Sequence, residues 1–188
     1  AQRIRQAVKG GCKVDVINGA VFDWAMPTHN TCVAPASQWV QALSDVAVAL
    51  ALQKGVPAPL PGEPTDVAKA IASSLLDGQH KAVLLGNAAA HHPQASRLLA
   101  LANWIAAQTG ASVGFLTEAA NTVGAQLVGA MPGPGGLNAG QMLTGSALKA
   151  AVILNTEPEF DSAAGKASLE ALKQCEMVVT MSPFKANM

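Results

Sequence analysis

The stretch VLLGNAAAHHP (residues 83–93) reads as a strand that runs into a glycine turn and then into a helix. Residues 81–85 read as the strand, Gly86-Asn87 supplies the turn, and 93–108 places Leu98, Leu101 and Ile105 on one helical face before Gly110 stops it. Residues 112–116 form the next strand. The pattern recurs: KAVLLGN (81–87) is echoed by KAAVILN (149–155), which leads to a helix over 163–174, capped by Ser162, and a strand over 177–181. Two related βαβ units follow from this reading. Strands alternating with helices argue for a parallel sheet. The strands are continuous apolar runs, as strands covered on both faces should be.

The flanking sequence extends the pattern. Residues 2–9 read as a helix closed by Gly10-Gly11, 13–17 as a buried strand ending at Asn18-Gly19, and 31–34 as a short edge strand stopped by Pro35. Ser37 is placed to cap a helix carrying Trp39, Leu43, Val46 and Leu50, which ends at Gly55. VPAPLPGEP (56–64) is a proline-rich loop. Thr65 caps a further helix with Val67, Ile71 and Leu75 as its apolar face, closed by Gly78. Residues 121–130 are expected to be helical, MPGPGG (131–136) a stiff connector, and 138–143 a helical turn. The chain opens at Ala1 on a helix with no strand before it and closes just past a strand, so it reads as an excised fragment, 1–188 forming a single α/β piece.

The 188 residues carry 12 Lys and Arg against 12 Asp and Glu, a net charge of zero, and no basic run. This balance argues against nucleic acid or anionic membrane as a main ligand. Only 13% of residues are charged, about half the usual share; the surface is either rich in alanine and small polar residues or covered by a partner. No apolar run approaches the ~20 residues of a membrane span. Cys12, Cys32 and Cys175 are far apart, without metal-ligand spacing, and read as small buried residues in a reducing compartment.

Ligands of open α/β sheets sit beyond the carboxyl ends of the strands, where helix N-termini can hold anions. Asn18-Gly19, Gly86-Asn87 and Asn155 to Glu157 occupy such positions. The GxGxxG fingerprint is missing, and a tight turn needs the glycine in any case. Glu157, Glu159 and Asp161 would repel a phosphate and suit a helix start better. His91 and His92 would point about 100° apart on a helix, so Pro93 at an early helical position explains them better than a metal does. His29 and His80 stand alone in loop-like sequence. Ser73, Ser74, Ser168 and Ser182 lack a nucleophile context. Trp24, Trp39 and Trp104 read as packing anchors.

In order and spacing, GCKVDVING, LLGNAAAHHPQASRLLALANWIAAQTGASVGFLTEAANTVGAQLVGAMPG, LNTEPEFD and ALKQCEMVVTMSPFKANM resemble the C-terminal part of the large iron–sulfur subunit, the G subunit, of bacterial NADH-quinone oxidoreductase (respiratory complex I). The resemblance covers nearly the whole chain. It implies a parallel-sheet, Rossmann-like three-layer α/β domain of the molybdopterin oxidoreductase type, as in domains 1–3 of formate dehydrogenase and DMSO reductase. In catalytic relatives the strand-end turns hold guanine dinucleotide parts of the cofactor. The matching positions here are Asn18, Gly19, Gly86, Asn87, Asn155 and Glu157, and NGAVFDW departs from the acidic or arginine-bearing turn those relatives often carry. The resemblance implies a vestigial site with no catalytic residue, metal or cofactor of its own. The iron–sulfur clusters then belong to the parent subunit's N-terminal part, and the partners are the remainder of that subunit and other complex I subunits. The place implied is the peripheral arm, on the cytoplasmic side of the bacterial inner membrane, without membrane insertion. KAVLLGNAAAHHPQASRLLALANWIAAQTGASV is also similar to the central domain of thiamine-diphosphate enzymes, which implies FAD or ADP, and a fragment of a catalytic molybdopterin enzyme is a third reading.

Overall fold

The computed structural model describes residues 2–119, 121–145 and 148–184; the last residues of TMSPFKANM, 185–188, lie outside them. In chain order the elements are α1 (Gln2–Lys9), β1 (Asp15–Asn18), β2 (Asn30–Val33), a 3₁₀ turn (Ala36–Gln38), α2 (Trp39–Lys54), α3 (Asp66–Asp77) and β3 (Ala82–Gly86). There follow α4 (Asn87–Ala90), α5 (Ala95–Thr109), β4 (Ser112–Leu116), α6 (Thr122–Leu127), α7 (Ala139–Thr144), β5 (Ala150–Leu154), α8 (Pro158–Asp161), α9 (Ala167–Lys173) and β6 (Met177–Met181). They gather into two compact units, Ala1–Ala120 and Asn121–Met188.

The chain is a mixed α/β protein whose strands pair in parallel. Among the described residues they form three two-stranded ladders, β1–β2, β3–β4 and β5–β6, rather than one continuous sheet. The last two ladders are the repeated βαβ units expected from the echo between 81–87 and 149–155.

In the first unit the core is a helical layer. α2 is buried on several sides because α3 and α5 both pack against it, and β1 lies beneath it. α5 lies on β3 and β4, and α3 on β2. Leu50 and Ile105 are fully enclosed, and Ala47, Ala72 and Ala102 have no exposed surface. Ile17, Cys32 and Val83 bring the strands onto this core. The helix stops follow from left-handed backbone at Gly55 (φ +66°) and Gly110 (φ +75°), where a Cβ would be strained.

Some caps differ from expectation. Thr65 does cap α3, its hydroxyl accepting from the Ala68 N–H. Ser37 caps nothing, because Pro35 is followed by the 3₁₀ turn and α2 starts only at Trp39. The buried face of α3 is Ala68, Ile71 and Ala72, while Val67 is 37% exposed. The helix expected over 93–108 is preceded by the separate turn α4 and starts at Ala95. Ser162 likewise does not cap α9; its hydroxyl donates to the Pro158 carbonyl, and the helix begins at Ala167.

The proline-rich loop is fastened to α2. The Ser44 hydroxyl donates to the Pro61 carbonyl at 2.9 Å, and Asp45 Oδ1 accepts from the Glu63 N–H at 2.9 Å. Gly62 lies so close that a Cβ there would stand 2.8 Å from Asp45 Oδ1, 3.1 Å from Val48 Cγ2 and 3.2 Å from the Ser44 carbonyl carbon. Gly62→Ala is therefore expected to cost about 1–3 kcal/mol through overpacking, and Leu50→Ala about 2–5 kcal/mol through a cavity. Urea unfolding of the two variants checks both, and a Gly62→Ala protein as stable as the parent would refute the close approach.

Candidate functional site

Both β1 and β3 end at one cleft of about 350 Å³. Ile17 and Asn18 line it from β1, Leu84 to Asn87 from β3 and its turn, and Trp39, Leu43 and Leu98 from the helical layer. This is the crevice beyond the carboxyl ends of strands in which α/β proteins bind ligands. It brings together three of the residues singled out from sequence, Asn18, Gly86 and Asn87. Gly19 stands beside it, where a Cβ would lie 3.9 Å from Trp39 Cζ2.

The polar groups at the cleft are turned onto the protein itself. The Asn18 side chain accepts from the Gly19 N–H at 2.8 Å. Asn87 Nδ2 donates to Glu118 Oε2 at 2.9 Å. Glu118 reaches that position because β3 and β4 pair in register, Gly86 opposite Leu116, so the turns after the two strands lie side by side. No Lys or Arg is among the described residues lining the cleft. A phosphate would find no cation among the lining residues to offset its charge. The phosphate charge of a guanine dinucleotide has no counterpart in this lining.

Gly86 also departs from its expected role. Its backbone is extended (φ −76°, ψ 174°), and a Cβ there would meet nothing within 4 Å. The turn does not need glycine.

In the second unit, Asn155 is the one non-glycine residue with positive φ (49°) among the described residues, a conformation asparagine tolerates better than most. Its N–H extends the β5–β6 ladder to the Met181 carbonyl. The Glu157 N–H donates to Asp161 Oδ2 at 2.7 Å, so the acidic turn satisfies its own helix start.

The histidines are placed by local bonding. His92 accepts from the Gln94 N–H on Nδ1, so its proton sits on Nε2 and is donated to the Ala36 carbonyl at 2.9 Å. Its ring packs against Trp39, centroids 5.9 Å apart, and the Trp39 indole N–H donates to the Ala34 carbonyl. His29, read as solitary, is not: its Nδ1 lies 3.1 Å from Asp15 Oδ1, which also accepts from the Asn30 N–H and side-chain amide. The parallel pairing of β1 with β2 sets Asp15 opposite Asn30, which sequence alone does not reveal. This cluster ties the two strands at their starts. Ser168 is wholly buried and donates to the Gly165 carbonyl. Among the described residues no three of His, Cys, Asp and Glu come together, and no helix is long and apolar enough to cross a membrane.

A second cavity, of about 210 Å³, is lined by Cys32, Gln41, Asp45, Thr65 and Ile71 among others. Burial, with a smaller contribution from the Asp45 carboxylate, pushes the Cys32 thiol above its ordinary value. No family model, no curated protein and no solved structure matches the chain.

Gly86→Ala is expected to leave the melting temperature unchanged or slightly raised, since an open, non-left-handed site gains from the stiffer unfolded chain; calorimetry decides it, and a loss above about 1 kcal/mol would contradict the open geometry. Cys32, holding its proton to higher pH, is expected to be alkylated several-fold more slowly than exposed Cys12 at pH 8. The same shift means that its stabilising effect is present below the unfolded thiol's pKa and is lost as pH rises through the folded one. Peptide mass mapping after timed iodoacetamide treatment gives the order.

Proposed function

We propose that the protein serves as a non-catalytic scaffold within the large iron–sulfur subunit, the G subunit, of an NADH-quinone oxidoreductase. In this reading it keeps the molybdopterin-oxidoreductase fold without its cofactor. The parent passes electrons from NADH towards quinone through iron–sulfur clusters in its N-terminal part. The scaffold's partners are the remainder of the subunit and neighbouring complex I subunits, in the peripheral arm on the cytoplasmic face of the bacterial inner membrane.

The observation that carries this reading is the state of the strand-end cleft. Its position is that of a dinucleotide site, yet Asn18 bonds to its own turn, Asn87 is held by Glu118, and no cation lines it among the described residues. A fold kept for its shape explains a cleft in the right place with its chemistry turned inward. The exposed apolar residues Val152, Leu154, Val179 and Met181 suit a surface that neighbours cover.

One observation favours a nucleotide instead, as in the central domain of a thiamine-diphosphate enzyme or a catalytic molybdopterin enzyme. Gly86 leaves its backbone open beside a cavity of useful size. The two readings separate in a single set of samples. The protein is co-expressed with the N-terminal cluster-bearing part of a bacterial complex I large iron–sulfur subunit, and separately titrated with GDP, ADP, FAD and NADH at about 1 mM in thermal unfolding. The scaffold reading expects a stable complex in native mass spectrometry and no nucleotide-dependent shift. Absence of the complex sinks it, and a rise in melting temperature with one nucleotide, as binding to the folded state alone requires, replaces it with the nucleotide reading.

A further inference from the structure

We propose that the cleft between β1 and β3 is a slot for one further parallel β-strand, an extended, uncharged peptide segment that joins the two ladders of the first unit into a five-stranded sheet.

The hydrogen-bond pattern identifies which backbone groups are open. The Ala34 N–H donates to the Asn18 carbonyl, so Asn18, and Val16 two residues earlier, face β2. Asp15 and Ile17 therefore turn their N–H and C=O groups to the opposite edge. The Ser112 N–H donates to the Lys81 carbonyl, so Lys81, Val83 and Leu85 face β4, and Ala82 and Leu84 turn theirs away. Among the described residues neither edge has a ladder on that side. Ile17 and Leu84 both line the same cleft, so the two open edges border one space.

Direction and width agree. Residues 17–18 of β1 and 83–87 of β3 and its turn line one cleft, and because β1–β2 and β3–β4 are each parallel ladders, the inserted strand is assigned the parallel direction. α2 lies over β1, α5 lies over β3, and the two helices pack side by side. Packed helices stand about 8–10 Å apart and paired strands about 4.8 Å. One helix spacing is thus about two strand spacings, the interval that admits a single strand.

The lining selects the occupant. Trp39, Leu43 and Leu98 supply an apolar floor, and no charged residue lines the cleft among those described. The inserted residues that face this floor are apolar, and those at the far end meet the uncharged amides Asn18 and Asn87. Unpaired backbone on two sides is recognised by backbone, not by a compact small molecule. Nothing in these contacts depends on which larger assembly contains the protein.

The test uses the full chain and an acetylated, amidated hexapeptide, Ala-Val-Leu-Leu-Gly-Asn, a copy of 82–87 whose first five residues already form a parallel strand in this fold. Amide hydrogen exchange is followed by NMR. In the free protein the Ile17 and Leu84 amides are expected to exchange much faster than the ladder amides of Val83 and Leu85. With about 1 mM peptide they should slow by roughly tenfold or more, whereas the same peptide with its first Leu replaced by Pro should leave them unchanged. Leu84→Pro removes an N–H that the β3–β4 ladder does not use, so the variant should fold and lose the peptide effect. Ile17 and Leu84 amides as slow as the ladder amides without peptide, or no slowing on peptide addition, would overturn the slot.

Discussion

Everything in the first unit hangs on the close packing of α2 between α3 and α5. The contact is made through small side chains: Ala47, Ala72 and Ala102 are fully enclosed. Alanine at a helix crossing lets backbones approach and leaves Leu50 and Ile105 to fill the space between. The low charge of the chain follows in part from this, because a central helix with neighbours on several sides has little surface to solvate. The strands pack onto these three helices, β1 onto α2, β2 onto α3, and both β3 and β4 onto α5.

The sequence was most legible where a short apolar run is bounded by turns. Residues 112–116, 150–154 and 177–181 have the bounds read from composition alone, because a continuous apolar run between turn residues leaves little choice. Helix starts were harder. Thr65 behaves as its chemistry suggests, with a free N–H three residues ahead to bond. Ser37 is overridden by the tight turn that follows Pro35, and the helix over 93–108 yields its first residues to the bonding of His92 with Ala36 and Gln94. These are tertiary and turn effects that no local preference contains.

The site divides in the same way. That Asn18, Gly86 and Asn87 converge follows from a general rule about strand ends, and the cleft gathers them. Glu118 was out of reach, because its place beside Asn87 depends on the register of β3 with β4, two strands separated by a whole helix. The pairing of His29 with Asp15 has the same origin in β1 and β2. Glycines show the limit of reading residue types singly. Gly62, inside a loop that looked merely irregular, is held against α2, while Gly86, in the turn that looked like a signature, stands in open space.

The two units raise one physical question in common: what offsets the apolar surface they present to water. On β5–β6 the residues Val152 and Leu154 share a face with Val179 and Met181, each between 39% and 70% exposed. On β3–β4, Leu84 and Leu116 share a face and are 43% and 47% exposed. Single exposed leucines are ordinary, but neighbouring apolar residues along a ladder form a continuous patch, and such patches belong to surfaces that are covered in use. A chain with 13% charged residues has few groups with which to break these patches. Low charge and unshielded ladder faces are both what the proposed scaffold role, in contact with other polypeptide, would require.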